Sequence, residues 1–276
     1  MVRVFACGSQ ALNLMWELRS ALNDSLIISC THDESEVKSN HTLFIMSNYD
    51  EARVIVAKLI NVELRAITYV LYKKGIEKSY TSFEIPKKAG GTRVIDSPNK
   101  QLKRIQRRLG KKIYDIHKNY LDQNRIASNI SHGFEVGKGI ITNARIHKNK
   151  KYLLNIDIAN FFSSVNFGRV QGYFNKSQEF LFSKEVSTII SQLVCYDKKL
   201  PQGAPTSPII SNLIFNIVDL RILSLAKKYK LSYTRYADDM SFSTNNRAFQ
   251  TDYINFIQEL RNLLENSGFE INENKT

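Results

Sequence analysis

Apolar residues at Ile55, Leu59, Val62, Ala66 and Tyr69 recur at helical spacing and predict a helix over Glu51–Tyr72. Residues 1–50 show no such period. Ala11–Leu22 fits a short helix there, and Thr31–Asn40 is polar and reads as a loop. Phe83–Pro86 and Arg93–Asp96 flank the turn Lys87-Lys88-Ala89-Gly90-Gly91 and predict a hairpin. Ser97-Pro98 then reads as a helix cap followed by proline at the first helical position. Leu102, Ile105, Leu109, Ile113 and Ile116 form the apolar stripe of that helix. Lys100, Lys103, Arg104, Arg107, Arg108, Lys111 and Lys112 load its other faces.

From Lys151 the pattern changes. Tyr152–Ile156 is a short apolar run, a buried strand ending in Asp157. Lys184–Cys195 is helical, and Pro208–Tyr229 is a long apolar helix with Ser207 as its cap and Pro208 at its first position. Two short strands, Ser232–Tyr236 and Met240–Thr244, enclose Ala237-Asp238-Asp239. A helix over Asp252–Ser267 closed by Gly268, and a strand at Phe269–Ile271, complete the series. Strand, helices, strand, strand, helix, strand is the split βαβ order of a ferredoxin-like sheet, so the class is α+β. In that sheet Asp157 and the Asp238-Asp239 hairpin are neighbours, although 81 residues separate Asp157 from Asp238.

Charge sharpens this picture. The 276 residues carry a net +13, and residues 86–150 hold 16 Lys and Arg against four acids, a net of +12. So dense a cluster points to a polyanion, most plausibly nucleic acid, with a solvated basic surface as the alternative. The basic helix favours phosphate over membrane, because its apolar stripe is narrow and lacks bulky aromatics. The three cysteines are odd in number and lack Cys-x-x-Cys spacing, which fits a reducing cytoplasm and neither a disulfide framework nor a zinc site. No apolar run reads as long enough to span a bilayer.

Adjacent aspartates repel, and a divalent ion with oxygen ligands relieves the pair; a solvated turn dipeptide is the alternative. Three converging carboxylates are the usual minimum for two-metal phosphoryl transfer, with the ions about 4 Å apart. Asp157 and Asp238 are the expected bridging ligands, Asp239 an outer one, and Ile158 can offer only its carbonyl. His132 and His147 lack a neighbouring ligand at metal spacing, so a hydrogen-bonded or RNA-contacting role suits them better.

Asn155–Val165 (NIDIANFFSSV), Leu200–Pro208 (LPQGAPTSP) and Tyr236–Asp239 (YADD) together resemble a bacterial reverse transcriptase, with each motif in its expected order. Residues 85–95 (IPKKAGGTRVI), the helix QLKRIQRRL and the segment SHGFEVGKGIITNARIH extend the likeness over about residues 50–276. Asn143 to His147 resembles the Asn-Ala-x-x-His signature of retron enzymes. The resemblance implies right-hand polymerase architecture, with residues 1–50 unassigned, 51–150 a basic fingers region and 151–276 the catalytic palm. It implies two Mg²⁺ ions (Mn²⁺ possible), dNTPs, a structured non-coding RNA as template and primer, its single-stranded DNA product (msDNA), and an effector protein in antiphage defence.

Roles carried by the resemblance fall on particular residues. Phe162 would clash with a ribose 2′-OH; a core phenylalanine is the alternative. Gln202 and Gly203 form a turn near the incoming nucleotide, or a generic Pro-Gln-Gly turn. Lys87, Lys88 and Arg93 reach the triphosphate, or are solvated cations. Lys275 matches a lysine that protonates the pyrophosphate leaving group, or is a frayed end. Lys103, Arg104, Arg107, Arg108, Lys111, Asn143 and His147 are the expected RNA contacts. The chain departs from the family at Thr276, where members continue into a thumb carrying a Val-Thr-Gly signature, so a fragment or a completing second polypeptide is expected. A non-polymerising RNA-binding fragment, a group II intron enzyme, a diversity-generating enzyme and an abortive-infection polymerase are the competing readings.

Overall fold

The computed structural model describes residues 37–86, 90–126 and 129–273, with residues 37–47 as backbone alone. Lys87, Lys88, Lys275 and the expected helix at Ala11–Leu22 lie outside the described residues. Contacts divide the chain into Met1–Ile45 and Met46–Thr276; the second unit holds both sheets, and regions 51–150 and 151–276 fall within it.

Helix α1 (Val37–Leu59) starts inside the segment read as a loop. It does not continue through Tyr72 as the period suggested. Asn61 takes a left-handed φ of 51°, a conformation asparagine tolerates, and the chain turns before α2 (Leu64–Thr68) and a π-helical turn at Tyr69–Lys74. Strands β1 (Tyr80–Pro86) and β2 (Thr92–Pro98) pair antiparallel from Tyr80↔Pro98 to Pro86↔Thr92. Ser97 and Pro98 therefore belong to β2 and do not cap the next helix. Asn99 does so: its side chain accepts from the Leu102 amide at 3.0 Å, while its own amide donates to the Ser79 carbonyl at 2.8 Å.

The capped helix is α3 (Lys100–Gln123), which buries Leu102, Ile105, Leu109 and Ile113 as its stripe required. After α4 (Ile140–His147) comes β3 (Tyr152–Ala159), then α5 (Phe167–Lys176), α6 (Lys184–Val194) and α7 (Ser207–Lys228). Strands β4 (Ser232–Tyr236) and β5 (Asp239–Thr244) follow, then α8 (Phe249–Asn266) and β6 (Glu270–Ile271). The sheet order is β4-β5-β3-β6 with every pair antiparallel, the ferredoxin-like arrangement expected of the palm.

Two details of α7 differ from expectation. Its cap is Thr206, because Ser207 already sits inside the helix and donates its hydroxyl to the Pro201 carbonyl at 2.7 Å. Its 22 residues are also long and apolar enough to cross a membrane, contrary to the reading that no run was; 61% of its apolar window is buried. Ile210, Phe215 and Ile222 are fully buried, so α7 owes its apolarity to its place in the core.

Candidate active site

A cleft of about 720 Å³ opens where the end of β3, the β4–β5 turn and the β1–β2 hairpin meet. Asp157, Ile158 and Phe162 line it from β3 and the segment after it; Asp238, Gln202 and Arg93 line it from the other sides. Backbone bonds lace β3 to the turn: the Ile158 amide donates to the Asp238 carbonyl at 3.0 Å, and Asp157 pairs with Asp239. Asp239 is exposed and outside the lining.

Asp157 is only 5% exposed. Asn272, one residue past β6, donates its backbone amide to the Asp157 carbonyl at 2.8 Å and its side-chain amide to Oδ1 at 2.6 Å. Asn272 thus orients the carboxylate, a role missed in the sequence because it depends on the β3–β6 register.

The turn itself is held from behind. Ala237 has a φ of 57°, in the left-handed region that a residue with a Cβ adopts at a cost. Arg235 is fully buried, and its guanidinium donates to both Asp219 oxygens (2.7–3.2 Å), to Asn212 Oδ1 (3.0 Å) and to the Ala237 carbonyl (2.8 Å). Burial works against its charge, yet the Asp219 carboxylate prevails and raises its pKa above the ordinary arginine value. On the other side of the turn, a Cβ on Gly133 would lie 2.4 Å from the Ala237 nitrogen. Neither Arg235 nor Gly133 stood out in the sequence.

Phe162 is half-buried; its ring lies 5.5 Å from that of Phe161 and 6.2 Å from that of Phe134, so it belongs to an aromatic cluster and to the cleft wall at once. Gly203 lies outside the lining. Its φ is 129°, and a Cβ there would come 2.8 Å from the Asp96 carbonyl, beside the 2.8 Å bond from the Asp96 amide to the Gln202 carbonyl. Glycine is needed here to seat β2 against the Gln202 turn.

On α3, Arg104, Arg107 and Lys111 are exposed and Lys103 is half-buried, while Arg108 donates to the carbonyl of Asn61 and ties α3 to the α1–α2 turn. Asn143 and His147 are half-buried, with polar atoms bonded to the sheet. His147 places its ring nitrogens 2.7 Å from Ser243 Oγ and 2.6 Å from Thr234 Oγ1, and Asn143 Oδ1 accepts from the same Thr234 hydroxyl. Two short polar side chains on the sheet, Ser243 and Thr234, thus engage the pair. Burial lowers the His147 pKa, so the ring favours its neutral form. His132 is similarly engaged, with Thr142 Oγ1 at 2.8 Å and the Asn129 carbonyl at 3.2 Å.

Among the described residues, no three His, Cys, Asp or Glu side chains are arranged as a metal site of their own. Mg²⁺ seldom asks for one: it keeps several waters and takes one or two carboxylates together with substrate phosphates. Asp157 and Asp238, sharing a cleft of nucleotide size, fit that demand.

The family described as reverse transcriptase (RNA-dependent DNA polymerase) matches residues 85–276. The chain belongs to the reverse transcriptase family. Curated relatives that it matches include retron reverse transcriptases. Retron Mx65 reverse transcriptase of Myxococcus xanthus is 30% identical over 72% of this chain and 48% of its own length. Retron Ec86 reverse transcriptase of Escherichia coli is 32% identical over 79% of this chain and 60% of its own. The chain spans about half the length of the curated relatives it matches. A solved apo telomerase from Candida tropicalis, truncated of its C-terminal domain, gives a TM-score of 0.47 at 16% identity, covering 71% of this chain and 49% of that one.

Proposed function

We propose that this reverse transcriptase is an RNA-directed DNA polymerase of a retron, copying a structured non-coding RNA into single-stranded DNA that serves antiphage defence with an effector protein. The observation that carries this reading is the meeting of Asp157, Asp238, Phe162, Gln202 and Arg93 around one cleft. Two Mg²⁺ ions on Asp157 and Asp238, with the Ile158 carbonyl and Asp239 beside them, would activate the primer hydroxyl and offset phosphate charge.

The residues of the chain do the remainder. Asn272 fixes the Asp157 carboxylate before substrate arrives. Arg93 offers its guanidinium fork to the triphosphate, with Lys87 and Lys88 as further cations and Lys275 as the acid for the departing pyrophosphate. Gln202 faces the sugar, and the Phe162 ring leaves no room for a 2′-OH. Arg104, Arg107 and Lys111 hold RNA phosphates along the exposed face of α3.

The test is addition of dNTPs to a DNA primer on an RNA template with Mg²⁺, followed by Phe162→Val. Wild type should add dNTPs and exclude rNTPs, and the variant should admit rNTPs with a modest loss in dNTP use. No addition by wild type would overturn the polymerase reading; unchanged sugar discrimination would leave Phe162 a core residue.

A further inference from the structure

A fully buried Arg–Asp pair is a poor way to gain stability, because desolvating both charges roughly cancels their attraction, and apolar residues of equal volume often do as well. Arg235 and Asp219 are both fully buried, so what the pair holds matters more than its own energy. Its guanidinium bonds the Ala237 carbonyl at 2.8 Å, the oxygen of the peptide that joins Ala237 to Asp238. A peptide unit is planar, so fixing that oxygen fixes the plane from which Asp238 departs. Asp219 and Asn212 fix the guanidinium in turn, and Tyr233 donates to Asp219 Oδ1 at 2.7 Å. The preceding peptide of Ala237 abuts Gly133, whose own carbonyl accepts from Asn212 Nδ2 at 2.7 Å. Asn212 thus joins both sides of one clamp around a residue held at a φ of 57°.

We propose that Arg235 and Asp219 are positioning residues of the polymerase site: a buried ion pair that sets the backbone of the Ala237–Asp238 turn and hence the place of the Asp238 carboxylate. The inference rests on the polymerase reading above. Lysine would be a poor replacement for Arg235, since a single ammonium lacks the planar fork that meets both Asp219 oxygens while also reaching Asn212 and the Ala237 carbonyl.

The test removes the clamp without leaving a buried charge. In Tyr233→Phe/Asp219→Leu/Arg235→Met, apolar groups replace the polar ones, and the thermal midpoint should stay near that of wild type. Single-nucleotide addition should slow about 100-fold, the scale expected when a reacting geometry slips by about 1 Å. Mn²⁺ affinity, read by EPR, should fall with it, whereas primer–template affinity should not change. Gly133→Ala pushes the turn from the opposite side with the ion pair intact and should move the same two quantities; it decides the matter if the triple variant does not fold. Asp238→Asn is the control for the reading beneath. If that variant keeps Mn²⁺ binding and nucleotide addition, the metal site is wrongly placed. If it loses both while the folded clamp variants retain wild-type rate and Mn²⁺ affinity, the clamp is refuted and the metal site stands.

Discussion

Two hairpins face the same cleft and are built in opposite ways. The β4–β5 hairpin, which carries Asp238, is buried along nearly all its length and braced by Arg235, Gly133, Asn143 and His147. The β1–β2 hairpin, which carries Arg93, is exposed along most of its length and joined to the palm at Asp96 and the Gln202–Gly203 turn. In the role proposed for it, a metal ligand such as Asp238 must be set to fractions of an ångström before substrate arrives, which a rigid frame provides. Arg93, in its proposed role of meeting a triphosphate, can adjust to it, and a lightly tethered strand suffices.

The largest expected effect separates the frames by stability. Arg235→Ala strands Asp219 as a buried charge and should cost about 3–5 kcal/mol in denaturant unfolding. Val94→Thr on the exposed β2 should stay within about 0.5 kcal/mol. Equal losses at the two sites would erase the contrast.

A smaller effect should appear at Arg93. Arg93→Ala removes a charge-assisted contact worth about 1.5–3 kcal/mol, which raises the KM for dNTP roughly 10- to 100-fold and leaves thermal unfolding unchanged. A drop in melting temperature without a change in KM would make Arg93 structural.

Smaller still is the electrostatic effect of α3, away from both hairpins. Neutralising Arg104, Arg107 and Lys111 removes about three phosphate contacts and should flatten the slope of log K for RNA against log salt by about two. An unaltered slope would put the RNA on another face.

The contrast was only partly legible in the sequence. Alternation and turn residues located both hairpins, and YADD with the Asp157 strand located two of the cleft carboxylates. The bracing was hidden because it joins residues that local patterns treat separately. Arg235 reads as one more basic residue until Asp219, sixteen residues earlier on α7, is seen beside it. Gly133 reads as a loop glycine until its missing Cβ makes room for Ala237. Asn143 and His147 matched a signature of retron enzymes and were expected as RNA contacts, and their bonds to Thr234 and Ser243 on the sheet follow from the fold alone. The Ser97-Pro98 cap failed for a similar reason: β1 pairs with β2 as far as Tyr80↔Pro98, and the bond from Asn99 to Ser79 follows directly, contacts no local pattern announces.

Asp238→Asn tests the central claim most directly, since it keeps the shape of the turn and removes one negative charge. With dNTP addition on an RNA template and RNA affinity measured in parallel, addition should fall by several orders of magnitude while affinity stays nearly constant. Undiminished addition by the folded variant would contradict the assignment of this cleft as the polymerase site.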